Sequence, residues 1–398
     1  MRKVLSNGME IRICKMVSQE SVTLLLKLHR GIADEVKGKR GITHLVEHLC
    51  FRKFRGMAQS DFYYKIEKIG GNLRGMTCRD CVLFEITVLK KHIWEAVDII
   101  RGLFDENFWT YDDIRCEKQV VLRQLEKTGN WYHKQMMYDF FCRDFVGEPL
   151  IGKKHTILRI TKDEIINHKR ILFSAKGAEL ILVGDVSDSE IKEIENIFCD
   201  IPSFADREIK DITPARFTSR DKQDLHYYED DVEGKALCIS FDINKKQVKP
   251  RVAEMLCNAL GKGLLSPLSM RLREKMGIID EIDSGCEFYD FGGIMYFLFE
   301  ASGDSATKLF CTVSDVFTEQ KEKLDVRAFE CAKAAFTDRA LSLEKTSRDF
   351  AYVMAFDDHM STFDEYIDRN NMVTYKDVSN AAKQILKIEN ATVNFYNK

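Results

Sequence analysis

The chain reads as an α+β protein made of two tandem copies of one unit, and three observations lead there. Strand-like segments alternate with amphipathic helical stretches along its length. A single offset of 213 residues superposes three separate places: Thr161-Lys162-Asp163-Glu164 on Thr374-Tyr375-Lys376-Asp377, residues 178–184 on 391–397, and Phe104 on Phe317. Between the copies, residues 201–223 collect Pro202, Pro214 and many charges, as a connecting segment does. The expected organisation is a first domain over 1–205, a linker over 206–224 and a second domain over 225–398, each copy near an ordinary domain size of about 200 residues.

Residues 9–15 and 22–30 read as a pair of strands, the second broken by Gly31. A polar loop over 34–40 leads to Gly41 and a helix. Residues 61–69 predict another helix, closed by Gly70-Gly71, and residues 82–88 predict a strand. Ile93, Val97, Ile100, Leu103 and Phe104 recur at helical spacing, which predicts a long helix over 91–106. Further helices are expected over 112–127, 133–145, 163–172 and 188–198, with a strand at 179–184.

The helix after Gly41 carries His44-Leu45-Val46-Glu47-His48, of the form His-x-x-Glu-His. On a helix, His44 and His48 share a face one turn apart, with Glu47 beside His48. Two imidazoles there can grip one metal ion, and the carboxylate can take a proton from a water that the metal activates. This is the inverted zincin pattern, although five residues alone equally describe an amphipathic helix with two surface histidines. On the 112–127 helix, Glu117 and Gln124 are seven apart and share a face. That face is either a solvated stripe or the one that meets the motif helix and completes a metal site. Under the 213-residue offset His44 falls on Cys257 and His48 on Gly261. The second copy therefore repeats the fold without the ligands and is expected to supply a wall of the cleft.

A net charge of −3 favours neither nucleic acid nor an anionic membrane as a partner. No apolar run reaches the roughly 20 residues of a membrane helix. The first residues run straight into a strand without the pattern of a signal peptide, so the expected location is cytoplasmic. Twelve cysteines in 398 residues are too dilute for a disulfide scaffold and read as buried thiols. Cys78-Arg79-Asp80-Cys81 is a lone CxxC, short of the four ligands of a structural metal site.

Several marks span both halves. Asn7-Gly8 precedes the first strand, Gly41 the motif and Gly70-Gly71 the edge strand, while Phe51 follows the motif. The second half has Gly261-Lys262-Gly263, Ser266-Pro267-Leu268 and Arg273-Glu274-Lys275-Met276-Gly277. Together these resemble the M16 peptidases, the inverzincin family that includes mitochondrial processing peptidase, insulin-degrading enzyme and small bacterial two-domain members. The resemblance implies two domains, each a mixed, mainly antiparallel sheet packed with helices, forming a clam around a chamber. It also implies zinc as the cofactor.

Three positions depart from the family pattern. The third ligand position, a glutamate in the family, is Gln124, whose carbonyl oxygen can coordinate but is neutral; Glu117 matches the supporting glutamate seven residues earlier. The edge strand carries Arg74 and Gly75 where the family has Asn-Ala, ahead of Thr77. Its backbone can still receive a peptide, and Arg74 is expected to favour an acidic residue. In the second half the arginine of an Arg–Tyr pair is present as Arg273, but the tyrosine position is Asp280, so one transition-state donor is absent.

Two functions follow from the resemblance. One is a zinc-dependent endopeptidase for peptides or unfolded segments, with Glu47 and Arg273 catalytic and zinc on His44, His48 and Gln124. Its substrate would lie along Arg74, Gly75 and Thr77. It would act as a homodimer or as a heterodimer with a second M16-like subunit, for example in peptide processing. The other is a catalytically impaired subunit that binds peptide or supports an active partner.

Overall fold

The structure, a computed structural model, describes every residue except 37, 107–108, 128–130, 142–146, 148, 205–221, 229–234, 290–291, 302–305, 344–345, 358–359, 361 and 397–398. The expected linker at 206–224 thus lies outside the described residues except for its last three. Two compact units are present. One consists of Met1–Thr128, Pro149–Pro214 and Ser342–Tyr366; the other of Gly129–Glu148, Ala215–Leu341 and Ile367–Lys398. Neither is a continuous run of chain.

The first unit is built on a six-stranded sheet. Its order is β1 (Arg2–Val4), β2 (Glu10–Lys15), β6 (Ala178–Gly184), β3 (Ser21–Leu28), β5 (Val82–Leu89) and β4 (Asn72–Thr77). β2 and β6 are parallel and the other neighbours antiparallel. The expected direct pairing of residues 9–15 with 22–30 does not occur, because β6 lies between them. All seven residues of β6 are buried, and a strand buried on both faces belongs inside a sheet and not at its edge.

One face of this sheet is covered by α1 (Ile42–Arg52), α3 (Ile93–Gly102), α7 (Lys162–Leu172) and α8 (Asp188–Phe198). Their apolar stripes share a core with Leu24, Leu26, Phe84 and Ile86. α2 (Gln59–Glu67) and α4 (Tyr111–Lys127) flank α1. The helix expected over 91–106 is shorter. Lys90–His92 form a 3-10 turn, and α3 stops at Gly102, a poor helix former whose missing side chain makes room for the Phe54 ring.

The other face carries α12 (Ser347–Phe356), a helix from the last part of the chain, packed on β3 and β6. Buried cations of the sheet hold its C-terminal end. Arg12, 1% exposed, pairs with Glu179 and donates to three carbonyls: Met354, Asp357 at 2.8 Å and Met360 at 3.3 Å. Lys27 donates to the Ala355 carbonyl at 2.8 Å. Carbonyls at a helix C-terminus lack intrahelical partners, and a cation is favoured there.

The second unit repeats the plan. Its sheet runs β7 (Asp224–Tyr228), β11 (Thr392–Tyr396), β8 (Ala236–Ile243), β10 (Gly292–Ala301) and β9 (Ile279–Tyr289), the counterpart of β2-β6-β3-β5-β4, with β7 and β11 parallel. α9 (Pro250–Gly261), α10 (Ala306–Glu322) and α14 (Tyr375–Ile385) cover one face. The other receives α5 (Trp131–Phe140), whose Met136, Met137 and Phe140 pack with Cys238, Ile294 and Leu298. The helix expected over 133–145 thus begins earlier, ends at Phe140, and in part lies outside the described residues. Here the charge is on the helix: fully buried Asp139 accepts from the Tyr228 hydroxyl at 2.5 Å and from Asn394 Nδ2 at 2.6 Å. The 213-residue offset has a physical counterpart as well. Thr161 and Thr374 each open a helix by a reciprocal cap, accepting from the N–H of Glu164 at 3.3 Å and of Asp377 at 3.2 Å. Among the described residues no helix is long and apolar enough to cross a membrane.

Replacing Arg12 by Leu removes the guanidinium that pairs with buried Glu179 and leaves His29, at 3.4 Å, beside it. Arg12→Leu is expected to lower the unfolding free energy by about 3–5 kcal/mol and to speed amide exchange in α12. Denaturant melts and hydrogen-exchange measurements check both, and Arg12→Leu/Glu179→Leu is expected to recover much of the loss.

Candidate metal centre

α1 begins at Gly41, which is left-handed at φ 91°; a Cβ there would also collide with the Ile151 carbonyl. Leu45, Val46 and Leu49 anchor the helix in the core, and the Trp109 indole donates to the Leu49 carbonyl at 2.8 Å. The N-terminus is held by buried Glu35, whose carboxylate accepts from Gly41 N at 3.0 Å and Thr43 N at 2.8 Å. An acid suits that end, where N–H groups lack intrahelical partners. Burial nonetheless pushes the Glu35 carboxyl up to about 7; the two backbone donors and the Arg40 guanidinium at 3.8 Å offset it only in part. His168 lies 3.0 Å from Thr43 Oγ1, and burial together with the charges of Arg30 and Lys39 takes it down to about 4, so its ring is neutral.

His44, Glu47 and His48 leave this anchored helix toward α4 and β4. His44 Nε2 is 3.0 Å from Gln124 Oε1, and His44 Nδ1 is 3.2 Å from Glu47 Oε2 and 3.4 Å from Thr77 Oγ1. Thr77 donates to Glu47 Oε2 at 2.9 Å. His48 Nδ1 is 3.3 Å from Glu117 Oε2, while Arg52, one turn on, donates to Glu117 Oε1 at 3.4 Å. The two imidazole centroids are 4.6 Å apart. Each ring thus has its Nδ1 against a carboxylate and its Nε2 on the opposite edge, the arrangement that orients histidine metal ligands.

Two imidazole nitrogens and an amide oxygen are donors that zinc accepts, so the set fits zinc, with an oxygen ligand that brings no charge. Among the described residues no three His, Cys, Asp or Glu side chains converge as a metal site. Gln124 is the side chain that stands third beside the histidines.

Burial opposes charge on both His44 and Glu47. For Glu47 it is outweighed by the His44 hydrogen bond, the charges of both histidines and the Thr77 hydroxyl, which hold the carboxyl below its ordinary value. For His44 the Glu47 hydrogen bond and charge outweigh burial and raise it. Glu47 is thereby kept ionised, as a general base must be. It lies so close over Gly75 that a Cβ at that position would collide with Oε1. The absence of a side chain at Gly75 is what leaves room for the carboxylate in this position.

Strand β4 separates the other sequence candidates by face. Leu73, Gly75 and Thr77 face α1, whereas Arg74 alternates to the opposite face, across from Glu85 in β5. Arg74 is therefore turned away from the histidines. Arg273 belongs to the second unit, on the short π-helical segment Ser269–Lys275; its Nε is 3.8 Å from Glu274, and both side chains are exposed. Asp280 lies in β9. The sequence reading missed Glu35, Arg52, Trp109 and His168. Only Arg52 carried a local signal, a cation one helical turn after His48 and so on the motif face.

Residues 14–154 match the family model described as Insulinase (Peptidase family M16), and residues 159–336 match the one described as Peptidase M16 inactive domain. The chain belongs to the M16 peptidase family. This M16 chain is 21% identical over 401 residues to an uncharacterized zinc protease of Bacillus subtilis, which covers 96% of it and 95% of that relative. It is 22% identical to the zinc protease PqqE of Helicobacter pylori, over 88% of this chain and 81% of the relative. With the mitochondrial-processing peptidase subunit beta of Lentinula edodes it shares 24% identity over 50% of its own length and 44% of the subunit. The crystal structure of a protease from Helicobacter pylori has the same fold, with a TM-score of 0.88 at 18% identity, covering 100% of this chain and 99% of that one. The Bacillus subtilis and Helicobacter pylori relatives are named zinc proteases, and the donor set on α1 and α4 suits zinc.

Glu35 supplies a pH test of the helix anchor. With a folded pKa near 7 against an ordinary 4.5, it binds its proton more tightly folded than unfolded. Its contribution to stability is full below the ordinary value and is lost as the pH rises through the folded one. Relative to Glu35→Gln, wild-type stability is expected to fall by up to about 3 kcal/mol across that window. Urea melts of both proteins from pH about 4.5 to about 8 check this; parallel curves would refute it.

Proposed function

We propose that this M16 chain is a zinc-dependent endopeptidase acting on peptides or unfolded protein segments. The observation that most supports it is the grouping of His44, His48 and Gln124 around an ionised Glu47. Zinc, when held by those three side chains, supplies Lewis acidity toward a water and toward the peptide carbonyl. Glu47 takes the proton of the attacking water and hands it to the departing amine. Thr77 fixes one Glu47 oxygen, and Glu117, itself held by Arg52, fixes the His48 ring. The substrate lies extended along the outer edge of β4, past Arg74, Gly75 and Thr77, where backbone groups are placed to pair with it. Arg273 is the candidate for binding the substrate carbonyl or carboxylate.

Peptide processing, a cytoplasmic setting, and action as a homodimer or with a second M16-like subunit belong to the same proposal. The pairing draws support from a relative that is itself named as a subunit. A second reading, a catalytically impaired subunit that binds peptide or supports an active partner, is favoured by the neutral amide at the third donor position.

Glu47→Gln is expected to slow cleavage of a mixed peptide library by about 10²–10⁴-fold while zinc content per chain stays unchanged. Gln124→Glu is expected to hold zinc more firmly against a chelator. Metal analysis and a cleavage assay with a chelator control check both. Wild-type protein that takes up zinc and cleaves nothing, alone or with an M16-like partner, would favour the second reading.

A further inference from the structure

We propose that Arg74 selects an acidic side chain in the extended substrate, and that Arg348 of α12 keeps Arg74 available for it. The inference rests on the reading that a peptide adds to β4. It concerns the face of β4 opposite the histidines.

Glu85, in β5, is 1% exposed and sits across from Arg74 in the β4–β5 register. A buried carboxylate beside a guanidinium ordinarily captures it. Here Glu85 is already engaged. Thr87 Oγ1 donates to Oε1 at 2.5 Å, and Arg348 Nε donates to Oε2 at 3.1 Å. Arg348 is braced in turn over the Tyr352 ring, 5.7 Å from its centroid. The Glu85 carboxylate is thus held by Arg348, while Arg74 lies across from Glu85 in the strand register. The Arg74 side chain is exposed and donates to the Asn72 amide oxygen at 3.2 and 3.3 Å, with the amide turned to present its oxygen. A neutral amide on the same strand is a weak partner that a carboxylate displaces.

Among the described residues, β4 has a strand neighbour on one side only. In a strand added to its outer edge, the residue opposite Arg74 projects its side chain onto the Arg74 face, with Cβ atoms about 4.5–5.5 Å apart. Its two chain neighbours project onto the face of Gly75, Thr77 and Glu47. The acidic residue is therefore adjacent in sequence to residues that face the histidines, so the preference falls close to the bond that is cut. A lysine at the same position meets the like charge of Arg74 and is disfavoured.

The test uses synthetic extended peptides with Glu, Gln or Lys placed at each position in turn. Binding to the metal-free full chain is read by fluorescence anisotropy, and cleavage by the zinc-loaded chain is read by mass spectrometry. At one position Glu is expected to be preferred over Gln by about fivefold, the size of an exposed ion pair. Arg74→Gln is expected to erase that preference and Arg74→Glu to invert it toward Lys. Arg348→Gln frees Glu85 to take Arg74 and is expected to weaken the preference although Arg74 is intact; Arg348→Gln/Glu85→Gln is expected to restore it. Equal use of Glu and Gln peptides by the wild type, or a preference that survives Arg74→Gln, overturns the proposal. Peptides N-methylated at alternate residues separate this from failure of the underlying reading. If N-methylation leaves binding unchanged, the peptide does not pair with β4. If it weakens binding while Glu and Gln remain equivalent, docking stands and the arginine inference falls.

Discussion

A carboxylate that acts as a base within a folded site must stay ionised against the desolvation that burial imposes. Two buried carboxylates lie along the motif helix and meet this constraint with opposite outcomes. Glu35, at its start, has two backbone N–H donors and a guanidinium at 3.8 Å, and burial still dominates. Glu47, midway along it, has an imidazole at 3.2 Å, a second imidazole nearby and a hydroxyl, and burial loses. The protonatable acid anchors the helix and the ionised one faces the two histidines. The Glu47–His44 contact in turn fixes where Thr77 and Gly75 must lie, and so how β4 approaches the site.

The two units use the same exchange with opposite electrostatics. In the first, cations on the sheet, Arg12 and Lys27, hold the carbonyl end of a helix. In the second, an acid on the helix, Asp139, gathers hydroxyl and amide donors from the sheet. A shared backbone plan therefore does not require shared polar chemistry, which is why the internal repeat is faint in sequence while strand order is retained.

The motif helix was legible because its signal is local: a five-residue spacing, an apolar stripe and a glycine ahead of it. Gln124 and Glu117 were legible as a pair because seven residues bring two side chains to one helical face. Glu35 and Trp109 were not, since each reaches α1 from a loop and only the folded backbone brings it there. The insertion of β6 between β2 and β3 was equally hidden, because parallel pairing over more than 160 residues of separation leaves no local mark. The sheet that α5 or α12 covers is likewise not written in its own residues. The face of β4 on which Arg74 lies does follow from strand alternation once Thr77 is known to meet Glu47.

The exchange of helices also sets an order of events during synthesis. The strands of the first sheet are all present once β6 has left the ribosome, but α12 begins about 160 residues later. At about 5–20 residues per second the delay is roughly 8–30 seconds. Throughout that interval one broad face of the nascent sheet, with Arg12 and Glu179 on it, lacks α12. A chain built this way completes its first unit only when nearly all of it has been made, so a ribosome-associated chaperone would meet an open sheet for about two-fifths of translation.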